Sequence, residues 1–456
     1  MRPTPPKVLL LGGGGREHAM AEAIRRGGGE LLALLPNRNP GIDRLASKVR
    51  RADPTDVEAV CAFAKAEGAD LLVVGPEAAL EAGVTDAVAT MGIAVASPSQ
   101  KAARIETSKA FMRDLMERRK IPGSVEALAF REPARARDFL LSCVYPVAVK
   151  PSGLTGGKGV KVEGKDFKEG DKEAAAAYAD EVLAKNVGGE ASVVVERRLE
   201  GEEFTLMAFC DGAEVRPMPL VQDHKRALEG DKGPNTGGMG SYSTADHSLP
   251  FLAPEDVSAA QDVVAETVAA LKAEGCPFVG VLYGQFMATV EGPRVIEFNA
   301  RFGDPEAMNV LPLLESNYVD VCRAMVEGRL EAADVRFARK ATVCKYVVPE
   351  GYGTPQVAKG ARIGVDEKAV EKAGARLFFA AVDGEPAALT MTSSRALAVV
   401  GVADRLQGAE RSAEGALKAV TGRYYVRHDI GTQALVSRKI ERMKGLRIKR
   451  AKRAKD

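Results

Sequence analysis

The chain has 456 residues, of which 46% are apolar and 28% are charged, and its formal net charge at pH 7 is +2. This length exceeds one compact core and predicts about two to four packed units, as in a multidomain enzyme. The near-neutral charge excludes a field over the whole molecule that would recruit nucleic acid or membrane, so we expect neither as a partner.

Cysteine spacing and apolar segments indicate where the protein works. The six cysteines lie far apart without a C-x-x-C pair, so neither a metal clip nor a disulfide framework is predicted. No apolar run approaches the ~20 residues that a membrane span needs. We therefore expect a cytoplasmic protein that is neither exported nor inserted in a membrane.

Residues 1 to about 106 alternate strands and helices in the order typical of a doubly wound α/β domain, starting with KVLLLGGGG and REHAMAEAIRR. Ligands of such sheets bind at the carboxyl ends of the strands, where GGGGREH and VGPEAAL lie. Glu17 occupies the last glycine position of a dinucleotide fingerprint, which leaves a nicotinamide enzyme only as an alternative. Backbone amides beside Arg16 favour a phosphate monoester, although a tight turn with two surface side chains also explains this stretch alone.

A second glycine-rich stretch, GLTGGKGV at residues 153–160, lies between two short strands of a small α+β unit. It is not a Walker A loop, because Gly159 follows Lys158 where serine or threonine is required. A flexible flap of this composition can still cover a triphosphate. Lys150 would point a second ammonium group into the same cleft. Each lysine alone is typical of a solvated surface, but with the loop they favour a phosphate site.

The segment QDHKRALEGDKGPNTGGMG combines His224, Lys225 and Arg226 with Asn235 and Thr236, a set that can surround an anionic substrate. Its glycines predict an irregular loop for GDKGPNTGGMGSY rather than strands or helices. For the histidine alone, a structural hydrogen bond is a commoner role than acid–base chemistry.

The stretch VGVLYGQFMATVEGPRVIEFNARF predicts an antiparallel hairpin turned at residues 291–293. Glu297 and Asn299 are two residues apart on its second strand, so both side chains leave one face, where hard oxygen donors suit Mg²⁺. Gln285 on the partner strand would add a further oxygen, and Arg301 would place a guanidinium beside the bridged anions. A strand end held by salt bridges is the alternative, but it does not explain why the donors share a face.

The last part of the chain is less distinctive. Short strands such as ATVCKYVV, LFFAAV and ALAVVGV predict a third domain from about residue 335. Residues 437–456 end in RIKRAKRAKD and are expected to form a flexible, solvated basic tail, to which we assign no function.

Several motifs together identify a family. QDHKR, DKGPNTGGMGSYS and EFNARFGDPEAM occur on one chain in order with GGGGREHAM, VGPEAAL, SKAF and GEEF. With these the sequence resembles the phosphoribosylamine-glycine ligases of the ATP-grasp superfamily over nearly its whole length. The resemblance implies an α/β and α+β multidomain fold: a doubly wound domain at 1–106, an ATP-grasp region at 107–334 with a lid at 124–195, and a small C-terminal domain at 335–436.

The implied activity is ATP-dependent ligation of glycine to 5-phosphoribosylamine, through glycyl phosphate, in purine biosynthesis. The implied ligands of Mg²⁺ or Mn²⁺ are Gln285, Glu297 and Asn299. The implied ATP contacts are Lys109, Lys150, Gly156, Gly157, Lys158, Gly159, Glu196, Arg197, Leu199 and Glu203. The implied catalytic residues are Lys150, Arg301 and Asp304. The implied substrate contacts are Gly14, Gly15, Arg16, Glu17, Pro76, Glu77, Asp223, His224, Lys225, Asn235 and Thr236.

Two other functions stay open on the sequence alone. A different ATP-grasp ligase, such as one acting on an imidazole ribonucleotide, would turn over without glycine. A binding protein would hold ATP and never cleave it. For the resembling family the partners are the two small substrates, and we expect a monomer or a dimer.

Overall fold

The computed structural model describes residues 5–156 and 159–453. Its first unit is a five-stranded parallel sheet with the strand order β3-β2-β1-β4-β5, which confirms the doubly wound prediction. The strand order reverses between β1 and β4, so the turns that follow these two strands flank one crevice. The elements are β1 Lys7–Leu11, α1 Gly15–Arg26, β2 Glu30–Leu35, α2 Pro40–Leu45, β3 Lys48–Arg51, α3 Val57–Glu67, β4 Leu71–Val74, α4 Glu77–Glu81, α5 Val84–Ala89, β5 Ala94–Val95 and α6 Gln100–Thr107.

A small unit follows the linking helix α7 Lys109–Arg118. Its antiparallel sheet has the order β6-β9-β7-β8 and packs two helices over an apolar core separate from the core of the rest of the chain. The unit therefore has an apolar core of its own. Its elements are β6 Ala127–Phe130, α8 Pro133–Ser142, β7 Val147–Pro151, β8 Lys161–Val162, α9 Lys172–Ala184 and β9 Val193–Arg197.

The central antiparallel sheet has the order β11-β10-β16-β17 and contains the predicted hairpin. The pairing of β16 with β17 shifts between Gln285 and Phe286, which marks a β-bulge. The elements of this region are β10 Glu202–Asp211, β11 Val215–Pro217, β12 Gln222–Asp223, β13 Arg226–Leu228, β14 Lys232–Asn235, β15 Gly240–Ser243, α10 Pro254–Ala273, β16 Val279–Thr289, β17 Gly292–Asn299, α11 Glu306–Val310 and α12 Tyr318–Val326.

The C-terminal part forms two further sheets, β12-β15-β18-β23-β20 and β21-β22-β19-β24. The first includes β12 and β15, so strands from residues 222–243 complete a sheet whose other strands lie beyond residue 340. The remaining elements are β18 Ala341–Val347, β19 Arg362–Val365, α13 Glu367–Lys372, β20 Ala375–Phe379, β21 Val382–Glu385, β22 Ala388–Met391, β23 Leu397–Ala403, α14 Leu406–Ala416, β24 Val420–Gly422 and α15 Gln433–Arg453.

The prediction of an irregular loop for GDKGPNTGGMGSY is wrong, because this segment contains β14 and most of β15. Glycine is needed here for close backbone approach. A Cβ on Gly240, whose φ is 144°, would lie 2.2 Å from the Cys344 carbonyl oxygen on the paired strand. Main-chain hydrogen bonds across the sheet therefore outweigh the low strand propensity of glycine.

The flexible tail predicted for residues 437–456 is also wrong as far as residue 453, because α15 continues to Arg453. Met443 of this helix is buried, and Lys439 and Arg442 of the helix pair with the carboxylate of Glu202 in the central region. Among the described helices, none is both long and apolar enough to cross a membrane.

Candidate active site

The first part of the candidate site is the turn between β1 and α1. The Gly14 N–H donates to Glu17 Oε2 at 2.6 Å, and Arg16 Nε pairs with Glu17 Oε1 at 2.6 Å. Glu17 therefore caps the first turn of α1, a position where a carboxylate also complements the helix dipole. Both of its oxygens are engaged within the turn, so in this arrangement Glu17 shapes the turn.

The end of β4 closes against this turn. A Cβ on Gly75 would lie 1.9 Å from Glu17 Oε1, so only glycine leaves room for the buried carboxylate. Pro76 and Glu77 follow and begin α4 at the same edge of the sheet. The predicted residues Gly14 to Glu17 are thus brought together with Pro76 and Glu77 in the crevice at the switch point.

Arg301 joins this crevice to the hairpin. Its guanidinium pairs with Glu106 at 2.7 Å and with Glu77 at 3.1 Å, and it donates to Asn299 Oδ1 at 3.2 Å. Arg16 also donates to the Phe302 carbonyl at 3.2 Å. The end of β17 therefore abuts the turn between β1 and α1, the phosphate turn, so named for the anion that its sequence is predicted to bind. The guanidinium expected at the transferring phosphoryl group is held here by two carboxylates.

The two carboxylates beside Arg301 titrate differently. Burial would raise the pKa of Glu77, but Arg301 and Arg16 hold it at about 2. Burial raises the pKa of Glu106 to about 7, although Arg301 opposes the shift. One guanidinium facing two carboxylates stabilises only one negative charge fully, and the more deeply buried Glu106 gains a proton near neutral pH.

Two lysines expected at the ATP phosphates lie near the glycine loop. Lys150 Nζ pairs with Glu196 at 2.7 Å, and Arg113 Nε pairs with the same carboxylate at 2.8 Å. Lys109 Nζ donates to the Gly153 carbonyl at 3.2 Å. Burial lowers the pKa of Lys150, which Glu196 opposes. The start of the glycine loop, both lysines and the end of β9 are therefore gathered in one cleft.

The other residues expected near ATP have different environments. The Arg197 side chain is exposed and lies over the ring of Tyr145, and Leu199 is half-buried. Gly156 has a φ of 58° with open space around it. The predictions for Gly157 and Lys158 fall outside the described residues.

The predicted metal ligands do share one face of the central sheet. Gln285 pairs directly with Glu297, and Tyr283 pairs directly with Asn299, so these four side chains point the same way. Burial would raise the pKa of Glu297, but Lys225 is the largest of the nearby cations that lower it. Within residues 5–156 and 159–453 its carboxylate has no side-chain hydrogen bond or ion pair. This acceptor is therefore available to a cation.

A buried network holds Gln285. Its Oε1 accepts from Thr205 at 3.2 Å and from the Tyr283 hydroxyl, and its Nε2 donates to Glu203 at 3.2 Å. The same tyrosine hydroxyl also lies 2.9 Å from Glu306 Oε1. The amide is thus fixed on the correct face, but its oxygen already has two donors. To bind a metal, Gln285 Oε1 would have to give up the hydrogen bond from Thr205 or from Tyr283.

The donor set fits a hard divalent cation. No group of three His, Cys, Asp or Glu side chains that could hold a metal occurs in the part of the chain that the structure describes. One carboxylate, Glu297, with amide oxygens from Asn299 and Gln285 leaves most positions to phosphate oxygens and water. Mg²⁺ is commonly bound in this way, by one or two carboxylates together with substrate phosphates.

The segment after β12 lies beside the same face. Lys225 Nζ pairs with Glu203 at 3.2 Å, and the Thr236 hydroxyl donates to the Lys225 carbonyl at 2.9 Å. Asn235 ends β14, directly opposite Arg226 of β13. The residues predicted at 223–236 to contact substrate therefore lie together. Lys225 faces Glu203, the residue expected at the ribose of ATP.

His224 does not make the structural hydrogen bond that its sequence context favoured. Both ring nitrogens are buried and lack a hydrogen-bond partner among the described atoms. Burial lowers the pKa of His224 to about 3, so the ring is neutral at physiological pH. Burial, reinforced by Glu306, raises the pKa of neighbouring Asp223 well above its usual range.

Asp304 is held by the C-terminal sheet. It accepts a hydrogen bond of 2.6 Å from the Tyr346 hydroxyl, and Arg395 pairs with it at 3.3 Å. The same guanidinium donates to the Gly238 carbonyl at 3.3 Å. Asp304 Oδ2 is 3.4 Å from the position of a Cβ on Gly14. Three distant parts of the chain therefore meet at the phosphate turn.

Four of these site residues were missed from the sequence. Glu106 and Arg113 lie before and within the linking helix α7, and Tyr346 and Arg395 lie in the C-terminal strands and turns. Each acts through a partner more than 40 residues away in the chain, such as Glu196 for Arg113. No local pattern marks such pairs, and only the approach of the sheets brings them together.

Comparisons with known proteins show which family the chain is similar to. Family models described as the N, ATP-grasp (A) and C domains of phosphoribosylglycinamide synthetase match residues 6–106, 107–307 and 342–433. A curated Methanocaldococcus jannaschii protein, phosphoribosylamine–glycine ligase, is 50% identical over 446 residues, which is 97% of this chain and all of that protein.

Solved structures show the same fold. The phosphoribosylamine–glycine ligase of Thermotoga maritima has a TM-score of 0.77 and 25% identity, covering 93% of this chain and 99% of that one. The biotin carboxylase domain of a Hydrogenobacter thermophilus 2-oxoglutarate carboxylase, in complex with MgADP, has a TM-score of 0.72 and 17% identity. It covers 97% of this chain and 94% of its own.

Proposed function

Since the chain belongs to the phosphoribosylglycinamide synthetase family, we propose that it joins glycine to 5-phosphoribosylamine. The reaction consumes ATP, releases ADP and phosphate, and forms glycinamide ribonucleotide for purine biosynthesis. One observation carries the proposal: Glu297 and Asn299 share a face of the central sheet, and that strand ends against the phosphate turn through Arg16 and Phe302. A metal–nucleotide site and a sugar-phosphate site are therefore neighbours.

ATP binds between the small unit, acting as a lid, and the central sheet. Its adenine lies at Glu196 to Leu199, its ribose near Glu203, and its phosphates face Lys109 and Lys150 where the glycine-rich flap begins at Gly153. The burial of Lys109, which has no ion-pair partner within the described residues, supports this placement, because a buried ammonium group is costly unless an anion compensates it. A divalent cation, Mg²⁺ or Mn²⁺, suits the donors of Gln285, Glu297 and Asn299 and would neutralise phosphate charge there.

The ligation needs no nucleophilic side chain. A glycine carboxylate oxygen attacks the γ-phosphorus of ATP, the bond to ADP breaks, and glycyl phosphate forms. The ribosylamine nitrogen then attacks the acyl carbon. The bond from that carbon to the oxygen bridging it to phosphorus breaks, phosphate leaves with this oxygen, and the nitrogen loses a proton. Arg301 and Lys150 neutralise the transferring phosphoryl group, so positioning and charge carry the catalysis.

Phosphoribosylamine binds in the crevice at the switch point. Its phosphate sits on the amides of Gly15 and Arg16, since the Gly14 N–H already donates to Glu17, with Pro76 and Glu77 on the sugar side, and Asp304 orients its amine. The position of Asp304 beside Gly14 supports this assignment. Asp223, His224, Lys225, Asn235 and Thr236 line the opposite wall, where glycine enters.

A turnover assay tests the proposal. Purified protein with ATP, Mg²⁺, glycine and freshly generated phosphoribosylamine should release ADP only when both substrates are present. With hydroxylamine replacing the amine, glycine and ATP should give glycyl hydroxamate, because the acyl phosphate is trapped. Glycine-independent turnover would indicate a different ATP-grasp ligase, and ATP binding without cleavage would indicate a binding protein. Light scattering distinguishes a monomer from a dimer.

A further inference from the structure

The C-terminal helix α15 extends beyond the matched family models, which end at residue 433. It leaves the C-terminal sheet and lies against the central region. Lys439 pairs with Asp231 at 2.6 Å, Arg442 pairs with Glu202 at 2.9 Å, and Arg447 pairs with Asp256 at 2.8 Å. Arg450 donates to the Val290 carbonyl at the hairpin turn. The helix therefore bridges two parts of the molecule.

Glu202 depends on this helix. Its carboxylate is almost fully buried, with 4% of the side chain exposed, and it pairs with Lys439 at 3.1 Å as well as with Arg442. Within the described residues these are its only ion-pair partners. A buried carboxylate without a counter-charge is strongly destabilising, so the start of β10 is tied to the position of α15.

The start of β10 is also where the chain from the small unit enters the central sheet. Gly201 packs so closely that a Cβ would lie 1.8 Å from the Ala288 carbonyl oxygen. Glu203 is the next residue of the strand, and successive side chains of a strand point to opposite faces. Its carboxylate contacts Lys225 and Gln285 in the cleft while Glu202 faces α15. Because Glu202 and Glu203 are consecutive residues of β10, holding Glu202 against α15 also holds the backbone that places the Glu203 carboxylate in the cleft.

A second connection runs through the β13–β14 hairpin. Asp231, at its tip, is held by Lys439 and by Arg427, whose side chain is fully buried. The hairpin begins next to Lys225, which pairs with Glu203. The helix thus reaches the same cleft residue from two sides.

We propose that Lys439 and Arg442 are positioning residues for the nucleotide: through Glu202 they fix Glu203 and the hinge on which the small unit turns. This inference rests on the proposed function only in placing ATP at that hinge. Neither side chain touches the nucleotide.

The test compares two double variants of the full chain. Lys439→Met/Arg442→Met removes the partners of Glu202, and Lys444→Met/Lys449→Met makes the same charge change at exposed positions of the same helix. We expect the first variant to bind MgADP about tenfold more weakly by calorimetry, with a raised KM for ATP and an unchanged KM for glycine. The second should stay within about twofold of the parent.

A suppressor separates positioning from general stability. Adding Glu202→Gln to the first variant removes the unpaired charge, so MgADP affinity should return to within about threefold of the parent. An affinity equal to that of the control variant, or a loss that Glu202→Gln does not reverse, would overturn the inference. If the parent binds MgADP but forms no glycinamide ribonucleotide, the proposed function fails while this test still applies.

Discussion

Replacing Arg301 with methionine should reveal how strongly the hairpin is tied to the crevice. The change leaves Glu106 and Glu77 without the guanidinium that pairs with them at 2.7 and 3.1 Å. The Glu106 side chain is 5% exposed, so breaking this pair should lower the free energy of unfolding by about 3–5 kcal/mol. Chemical denaturation at pH 8, where Glu106 of the parent is ionised and paired with Arg301, measures the loss.

Two matched variants sharpen this prediction. Arg118→Met removes surface pairs with Asp114 and Glu274, and because water screens these charges its effect on stability should be much smaller than that of Arg301→Met. Adding Glu106→Gln to Arg301→Met neutralises the most buried carboxylate and should recover a large part of the loss. A loss of less than about 1 kcal/mol in Arg301→Met, or no recovery with Glu106→Gln, would refute the reasoning.

Three further outcomes follow from the site. Glu106 binds its proton more tightly in the native state, with a pKa of about 7, so stability should fall as pH rises from about 4.5 to 7. Glu106→Gln should remove that dependence in pH-resolved denaturation, and an unchanged slope would contradict the assignment. Tyr346→Phe removes the donor to Asp304 and should lower kcat/KM for phosphoribosylamine about tenfold, whereas equal kinetics would argue against Asp304 at the amine. Gly75→Ala displaces Glu17 from the turn and should raise the KM for phosphoribosylamine but not for ATP; equal effects on both would place the turn elsewhere.

Much of the fold follows from local pattern. The apolar strands of the first unit, buried throughout in Val8 to Leu11, predict a parallel sheet because both faces must be covered. The hairpin that carries Glu297 follows from its alternation and its turn. The β14–β15 segment and α15 could not be predicted in this way. Their stability comes from contacts with distant partners, such as the backbone of Cys344 and the carboxylate of Glu202.

The candidate site also has some features that local sequence patterns predict and others that depend on tertiary packing. The common face of Glu297 and Asn299 depends only on strand geometry, so the sequence predicts it. The engagement of Arg301 by Glu106 depends on how the first unit docks on the central sheet, which no local pattern encodes. The lack of a partner for the buried ring nitrogens of His224 likewise follows from its tertiary surroundings within the described residues.

The carboxylate of Glu297 is central to the account, and Glu297→Gln tests it most directly. The variant keeps the size of the side chain, so it should remain folded, with a cooperative melting transition like that of Glu291→Gln, a control at the exposed turn of the same hairpin. Turnover measured across a Mg²⁺ titration should fall by about a hundredfold or more in Glu297→Gln and stay unchanged in the control. Wild-type turnover at the same Mg²⁺ concentration in a folded Glu297→Gln variant would contradict the metal–nucleotide site.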